Sequence, residues 1–118
     1  MPQPESQAPL FLDTPESTVR FLREISTARE LAIDTEGASF HRFVDRIYLL
    51  QISTRERSAI VDPLAVPRLD DLGALMERED VEVVFHDADY DLRLLRQDYG
   101  WDVVRIFDTR VAAQLLGI

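Results

Sequence analysis

The fold of this 118-residue chain is constrained most by a regular alternation of two sequence patterns. Short apolar runs that are typical of buried strands, such as VEVVF (81–85) and VVRIF (103–107), alternate with amphipathic segments that are typical of helices. Two further runs, DRIYLLQIST (45–54) and RSAIVDP (57–63), are separated only by a charged turn, which predicts an antiparallel hairpin. Strands followed by helices, with one hairpin among them, predict an α/β fold in which helices flank a mixed sheet.

The length and composition are those of one globular domain. Hydrophobic residues make up 46% of the chain, and no internal repeat or linker divides it. The first residues, MPQPESQA, are polar and without periodicity, so we expect a flexible leader at 1–8 and a folded domain at 9–118. No apolar stretch approaches the roughly 20 residues that cross a bilayer, so we expect no membrane partner. Since there is also no secretory signal and no cysteine, a cytoplasmic location is expected by default.

The charge of the chain excludes one class of function. The formal net charge is −9, and every basic side chain is an arginine. Such a chain does not bind duplex nucleic acid through a broad basic surface. Acidic side chains that collect at one place attract divalent cations, and a bound cation turns a negative patch into one that binds phosphate.

Two acids lie at the end of the apolar run ELAID (30–34), which we predict to be a buried strand. Asp34 and Glu36 are two positions apart, so their side chains project from the same face of a strand, with Cα atoms about 6.5 Å apart. Carboxylate oxygens at this spacing are suited to one divalent cation or to a pair of them. The alternative is a turn at the strand end with two exposed acids, which the spacing alone does not exclude.

Three further acids, Asp87, Asp89 and Asp91, lie at a predicted strand-to-helix transition. Asp87 as N-cap and Asp89 in the first turn are explained by the preference of helix N-termini for negative charge. Asp91 lies one turn later, at the edge of the predicted buried face, where an unpaired carboxylate is costly. A metal ion shared with Asp34 and Glu36 would remove that cost.

Four segments in order, AIDTEG, YLLQIST, VFHDADYDLRLL and IFDTRVAAQLL, resemble the ribonuclease D branch of the DEDD 3′–5′ exonucleases. The resemblance covers about residues 30–118. It implies an RNase H-like fold with a mixed sheet of about five strands, the second of them antiparallel. It also implies two-metal hydrolysis of the terminal phosphodiester at the 3′ end of single-stranded RNA, in RNA processing or decay.

The resemblance assigns roles to individual residues. Asp34, Glu36 and Asp91 match the family's catalytic carboxylates, which hold two divalent ions, Mg²⁺ or Mn²⁺. Phe40 and Leu94 match positions that often contact the terminal nucleotide, although packing in the core is the alternative for both. Asp108, by contrast, matches no metal ligand, and we expect it to be the N-cap of the last helix.

The resemblance stops before one family motif. The third motif, Tyr-x-x-x-Asp, lies several tens of residues beyond FDT in the family, and this chain ends at Ile118. We therefore expect a domain that is incomplete at its C-terminus, lacks the fourth metal carboxylate, and is weakly active or inactive alone. The last segment, DTRVAAQLLGI, begins an apolar helix face with nothing after it to cover it, which predicts self-association or coverage by another element.

Two alternatives remain open from the sequence. One is a non-catalytic RNase H-like fragment that binds nucleic acid or a protein. The other is a DNA-directed proofreading exonuclease, although the contexts of LLQISTR and FDT are more similar to the RNA branch.

Overall fold

The computed structural model describes residues 8–38 and 45–117. The predicted leader, apart from Ala8, and the predicted contact residue Phe40 lie outside these ranges. The described residues form six strands and four helices in alternating order. In chain order they are β1 (Leu10–Leu12), α1 (Pro15–Glu24), β2 (Glu30–Ala38), β3 (Arg46–Ser53), β4 (Ser58–Val61), α2 (Asp70–Met76), β5 (Glu82–Phe85), α3 (Ala88–Tyr99), β6 (Ile106–Asp108) and α4 (Thr109–Leu115).

The strands form one mixed sheet in the order β1-β4-β3-β2-β5-β6. β3 runs antiparallel to both of its neighbours, and the remaining pairs are parallel. The predicted hairpin is confirmed as β3 and β4, and its turn is closed by a hydrogen bond of 2.7 Å from Thr54 N to Arg57 O. The strand β1, which pairs with β4 at the edge, accounts for the difference from the five strands that the resemblance implies.

One face of the sheet carries the core. Along β2 the buried residues Leu31, Ile33 and Thr35 alternate with exposed ones, and β4 and β5 repeat this alternation. α1, α2 and α3 contribute to the same cluster of buried side chains, so all three pack on this face. The opposite face, which includes Asp34 and Glu36, is exposed within the described part of the chain. The predicted mixed α/β architecture is confirmed, and it leaves both acids on the uncovered face.

The helix ends follow their local sequence. Thr14 caps α1 by accepting a hydrogen bond of 3.1 Å from Ser17 N, and Pro15 fixes the backbone of the first turn. α3 ends at Gly100, whose φ of 75° is the left-handed conformation that glycine adopts without a steric penalty.

α4 projects apolar side chains into solvent. None of its residues is buried, and Leu115 and Leu116 are 83% and 76% exposed. The sequence predicted an uncovered apolar face for this segment. Among the residues that the structure describes, none covers it. Self-association through it stays a prediction. In the same ranges, no helix has both the length and the apolar character to cross a membrane.

Trp101 joins the end of α3 to α2. Its ring stacks on Tyr99 with centroids 4.4 Å apart, and the residue is 8% exposed. The indole also lies directly against Gly73 of α2, where a Cβ atom would be 2.2 Å from Trp101 Nε1 and 2.4 Å from Cε2. Because these ring atoms belong to a rigid, buried side chain, the contact tolerates only glycine at position 73.

Gly73→Ala is therefore expected to displace Trp101 and to lower the free energy of unfolding by about 1–3 kcal/mol, the usual cost of overpacking. Trp101 is the only tryptophan, so its fluorescence reports the displacement directly as a red shift of the native emission. Chemical unfolding measures the cost, and Ala74→Gly on the same helix is the control. A native emission spectrum and stability equal to the wild type would contradict the described packing.

Candidate active site

β2 extends beyond its parallel neighbour and carries two acids with it. Its pairing with β5 ends at Ala32, whereas its pairing with β3 continues to Ala38, with a register shift between Glu36 and Gly37. The predicted strand end at Asp34 was therefore too early, because the antiparallel partner continues the strand. Asp34 and Glu36 lie inside a paired strand, which fixes the backbone of both residues on the exposed face of the sheet.

α3 packs closely against this extension because residue 37 is a glycine. A Cβ atom at Gly37 would lie 2.7 Å from Leu94 Cδ1 and 2.8 Å from the Tyr90 hydroxyl oxygen. A larger side chain would push α3 away from β2. Leu94 itself is 4% exposed and belongs to the core, as the packing alternative expected. Its contact with a nucleotide stays a prediction.

Asp91 is the buried acid of the site. It is 6% exposed, and its Oδ1 accepts a hydrogen bond of 2.6 Å from the Thr35 hydroxyl. Burial raises the pKa of Asp91, and the hydrogen bond from Thr35 opposes that rise. The negative charges of Asp34, Glu36 and Asp87 raise it further, so these acids are near enough to act on one another.

The three predicted ligands supply suitable donors but are not gathered around one point. In residues 8–38 and 45–117, no three histidine, aspartate or glutamate side chains are arranged to hold a metal ion. The Asp91 carboxylate is held by Thr35, whose side chain points to the opposite side of β2 from Asp34 and Glu36. The donor chemistry fits Mg²⁺ or Mn²⁺, because all the atoms are hard carboxylate oxygens and no described arginine forms an ion pair with these acids.

An open groove of about 400 Å³ adjoins Asp34 on the exposed face of the sheet. Polar side chains from β3, from the residue after β5 and from the start of α4 line it together with the acid, namely Gln51, Ser53, His86 and Thr109. A larger groove of about 520 Å³ lies between β3, the end of α3 and the segment after β4, and it contains none of the three acids. The smaller groove therefore adjoins the candidate site through Asp34, although Glu36 and Asp91 are not among its lining residues.

The N-terminus of α3 is capped by a residue from another strand. Asp87 occupies the N-cap position, but its backbone is left-handed, with φ 63° and ψ 67°, and its side chain caps nothing. Asp87 is therefore the N-cap residue, as the sequence predicted, but its side chain makes no capping hydrogen bond. The Asp108 carboxylate takes that role, accepting hydrogen bonds of 2.9 Å from Asp87 N and 2.8 Å from Ala88 N.

Asp108 also caps α4, as the sequence predicted. Its carboxylate accepts hydrogen bonds from Arg110 N at 2.9 Å and from Val111 N at 3.4 Å. The hydrogen bonds from backbone N–H groups, led by that of Ala88, lower the pKa of Asp108 to about 2.

Sequence reasoning missed two features of the site. Thr35 was not recognised as the partner of Asp91, although its place between two exposed acids puts it on the core side of β2. Because a buried hydroxyl needs a hydrogen-bond partner, the predicted burial of Thr35 was the signal that a polar group lies opposite it in the core. The second feature, the link from Asp108 to α3, carries no local signal, since 20 residues separate Asp108 from Ala88.

Known proteins resemble this chain over nearly its whole length. A family model described as 3′–5′ exonuclease matches residues 10–118. The exosome complex exonuclease RRP6 of Saccharomyces cerevisiae is 31% identical over 115 residues, which are 97% of this chain and 16% of that protein. Ribonuclease D of Zymomonas mobilis is 36% identical over 99 residues, which are 80% of this chain and 25% of that protein.

A solved structure has the same fold. The catalytic core of RRP6 from Trypanosoma brucei superimposes with a TM-score of 0.90 at 30% identity, covering 99% of this chain and 33% of that one. The chain thus spans between about a sixth and a third of the length of these three proteins.

Thr35→Val keeps the side-chain shape and removes the hydrogen bond to Asp91. Because bonds to charged groups contribute about 1.5–3 kcal/mol, we expect a loss of that size in the free energy of unfolding near pH 7. Urea unfolding measures it. Thr18→Val is the matched control, since Thr18 is equally buried but donates to a neutral carbonyl, Thr14 O, at 2.8 Å. Equal losses in the two variants would contradict a special contribution from Asp91.

Asp91→Asn is expected to stabilise the metal-free chain at neutral pH. The folded-state pKa of Asp91 is raised above 3.8, so the wild type loses stability as pH rises from the unfolded pKa through the folded one. The amide has no charge to bury and escapes this loss. Unfolding in chelator from pH 4 to pH 7 should show the advantage of the variant growing with pH. Asp102→Asn, which changes an exposed acid, should show no such trend, and a variant less stable than wild type at pH 7 would refute the argument.

Proposed function

Because the chain belongs to the 3′–5′ exonuclease family, we propose that it forms an exonuclease-type domain that acts on the 3′ end of single-stranded RNA. The observation that carries the proposal is that Asp34 and Glu36, on the extension of β2, lie near enough to Asp91 of α3 for their charges to raise its pKa, while none of the three forms an ion pair among the described residues. The names of the relatives, ribonuclease D and an exosome exonuclease, favour RNA over DNA.

In this proposal the three carboxylates hold two divalent ions, Mg²⁺ or Mn²⁺. Asp34 and Glu36 offer oxygens from a rigid strand on the exposed face. Thr35 binds one oxygen of Asp91, Oδ1, which limits the rotation of that carboxylate. Divalent ions at such a site activate a water molecule and stabilise the leaving 3′ oxygen. Burial is the main cause of the raised pKa of Asp91, and the negative charges of Asp34 and Glu36 raise that pKa further; bound cations would relieve this repulsion.

A second candidate is a non-catalytic fragment that binds nucleic acid or a protein. Two observations favour it: the acids do not converge on one point in the described residues, and α4 exposes Leu115 and Leu116. The two proposals differ in metal dependence. An exonuclease site needs Asp34 and Asp91 for cation binding, whereas an interaction fragment does not.

Titration with Mn²⁺ by calorimetry separates these candidates. We expect saturable binding by the wild type and at least a tenfold weaker binding by Asp34→Ala and Asp91→Ala, since each variant removes a direct ligand. Asp102→Ala, an exposed acid away from the three ligands, is the control for lost charge. Absence of saturable binding in the wild type, or equal binding by Asp34→Ala, would contradict the metal site.

RNA trimming tests the activity itself. A 5′-labelled single-stranded RNA should be shortened from its 3′ end in Mn²⁺, more slowly by Asp34→Ala, and not at all with chelator. The matched DNA strand and an RNA with a blocked 3′ end are the controls. Equal or faster shortening of DNA would favour the proofreading alternative, and shortening that survives in Asp34→Ala would exclude these acids from the chemistry.

A further inference from the structure

One carboxylate joins the beginnings of two helices. Asp108, the last residue of β6, accepts four backbone N–H groups. Two come from the start of α4 and two from the start of α3, which lies 20 residues earlier in the chain. A helix cap normally serves its own helix through one or two such bonds. The bonds to Asp87 N and Ala88 N are therefore additional to the local capping of α4.

The start of α3 also determines where Asp91 lies, because Asp91 is one helical turn further along the same helix. Asp87 is the N-cap residue of α3, so its carbonyl is the acceptor for the N–H of Asp91 one turn later. The backbone of Asp87 is left-handed, a conformation that is unfavourable for an aspartate and persists only when its surroundings hold it. The bond from Asp87 N to Asp108 is part of what holds it.

Other contacts tie the same two helix starts together. The Arg110 guanidinium is 2.7 Å from the Asp87 carboxylate, so the side chain of the strained residue is also held from α4. The Thr109 hydroxyl donates to Phe85 O at 3.2 Å and lies 2.9 Å from His86 Nδ1. These contacts hold the end of β5 against the end of β6. The hydrogen bonds from Asp87 N and Ala88 N to Asp108 extend this connection to α3.

We propose that Asp108 is a positioning residue for Asp91. By fixing where α3 begins, it sets the place of the Asp91 carboxylate relative to β2, while Thr35 holds that carboxylate from the strand side. The importance of this place for cation binding rests on the proposed exonuclease site. Asp108 itself contacts neither cation nor substrate in this account, and its effect is transmitted through the backbone of Asp87 and Ala88.

Asp108→Ser separates the two capping tasks. A serine hydroxyl caps its own helix well, so α4 keeps its start, but the short side chain does not also reach Asp87 N and Ala88 N. Asp108→Asn is the second variant, since it keeps one carbonyl oxygen and places an amide donor against the other N–H group. Thr14→Ala, which removes the N-cap of α1, is the control for losing a cap elsewhere.

Two readouts are measured on folded protein at a temperature below every unfolding transition. The first is Mn²⁺ affinity by calorimetry, where removing a residue that orients a ligand typically costs 10–100-fold. The second needs no metal: the ¹³C resonance of the Asp91 carboxyl group and amide hydrogen exchange at Ala88–Asp91. We expect Asp108→Ser to raise the Kd for Mn²⁺ at least tenfold, to move the Asp91 resonance and to speed exchange, with Thr14→Ala unchanged in all three.

The outcomes distinguish this proposal from the proposed function. If the wild type binds Mn²⁺ and Asp108→Ser binds it equally, positioning by Asp108 is refuted. If the wild type binds no Mn²⁺, the metal site fails, and the NMR result alone decides: an unmoved Asp91 resonance in Asp108→Ser refutes the positioning role, and a moved one upholds it. An equal change in Thr14→Ala would show a general loss of rigidity and would also refute it.

Discussion

The site depends on the pairing of β2 with β3 beyond the end of the parallel sheet. β2 leaves its parallel neighbour at Ala32, and for the next six residues β3 is its only partner strand among the described residues. On this extension the side chains of Asp34 and Glu36 face outward and that of Thr35 faces the core. The hydrogen bond of 2.9 Å from Ile47 N to the Asp98 carboxylate ties the start of β3 to α3. The acids, their buried neighbour and the helix that brings Asp91 are thereby held by one pair of strands.

The same arrangement opposes stability. It buries Asp91 beside three other acids, and the resulting rise in pKa records a folded state that disfavours its own ionised carboxylate. The left-handed backbone of Asp87 is a second cost in the same turn. Thr35 and Asp108 offset these costs with hydrogen bonds from opposite directions. Groups that are individually unfavourable and jointly held are typical of functional sites, because selection retains them for binding rather than for stability.

Local patterns in the sequence predicted the elements, and long-range contacts decided how they meet. The hairpin and the cap of α4 follow from periodicity and from single residues, because each depends on neighbours within a few positions. The extension of β2 past Asp34 depends on a partner strand, and the capping of α3 depends on a residue of β6. Asp87 shows the limit most clearly, since the sequence places an ideal capping residue where the structure uses a different carboxylate.

The strand order determines when the chain is able to fold. The central strand β2 has one neighbour that follows it directly, β3, but its parallel partner begins with the pairing of Glu30 and Glu82, about fifty residues later. The edge strand β1 likewise pairs with a strand, β4, that is synthesised much later in the chain. At a synthesis rate of roughly 5–20 residues per second, β2 and β3 are exposed for several seconds as a two-stranded ribbon before β5 is made. During that interval the extension with Asp34 and Glu36 keeps the ribbon negatively charged, which opposes edge-to-edge aggregation of nascent chains.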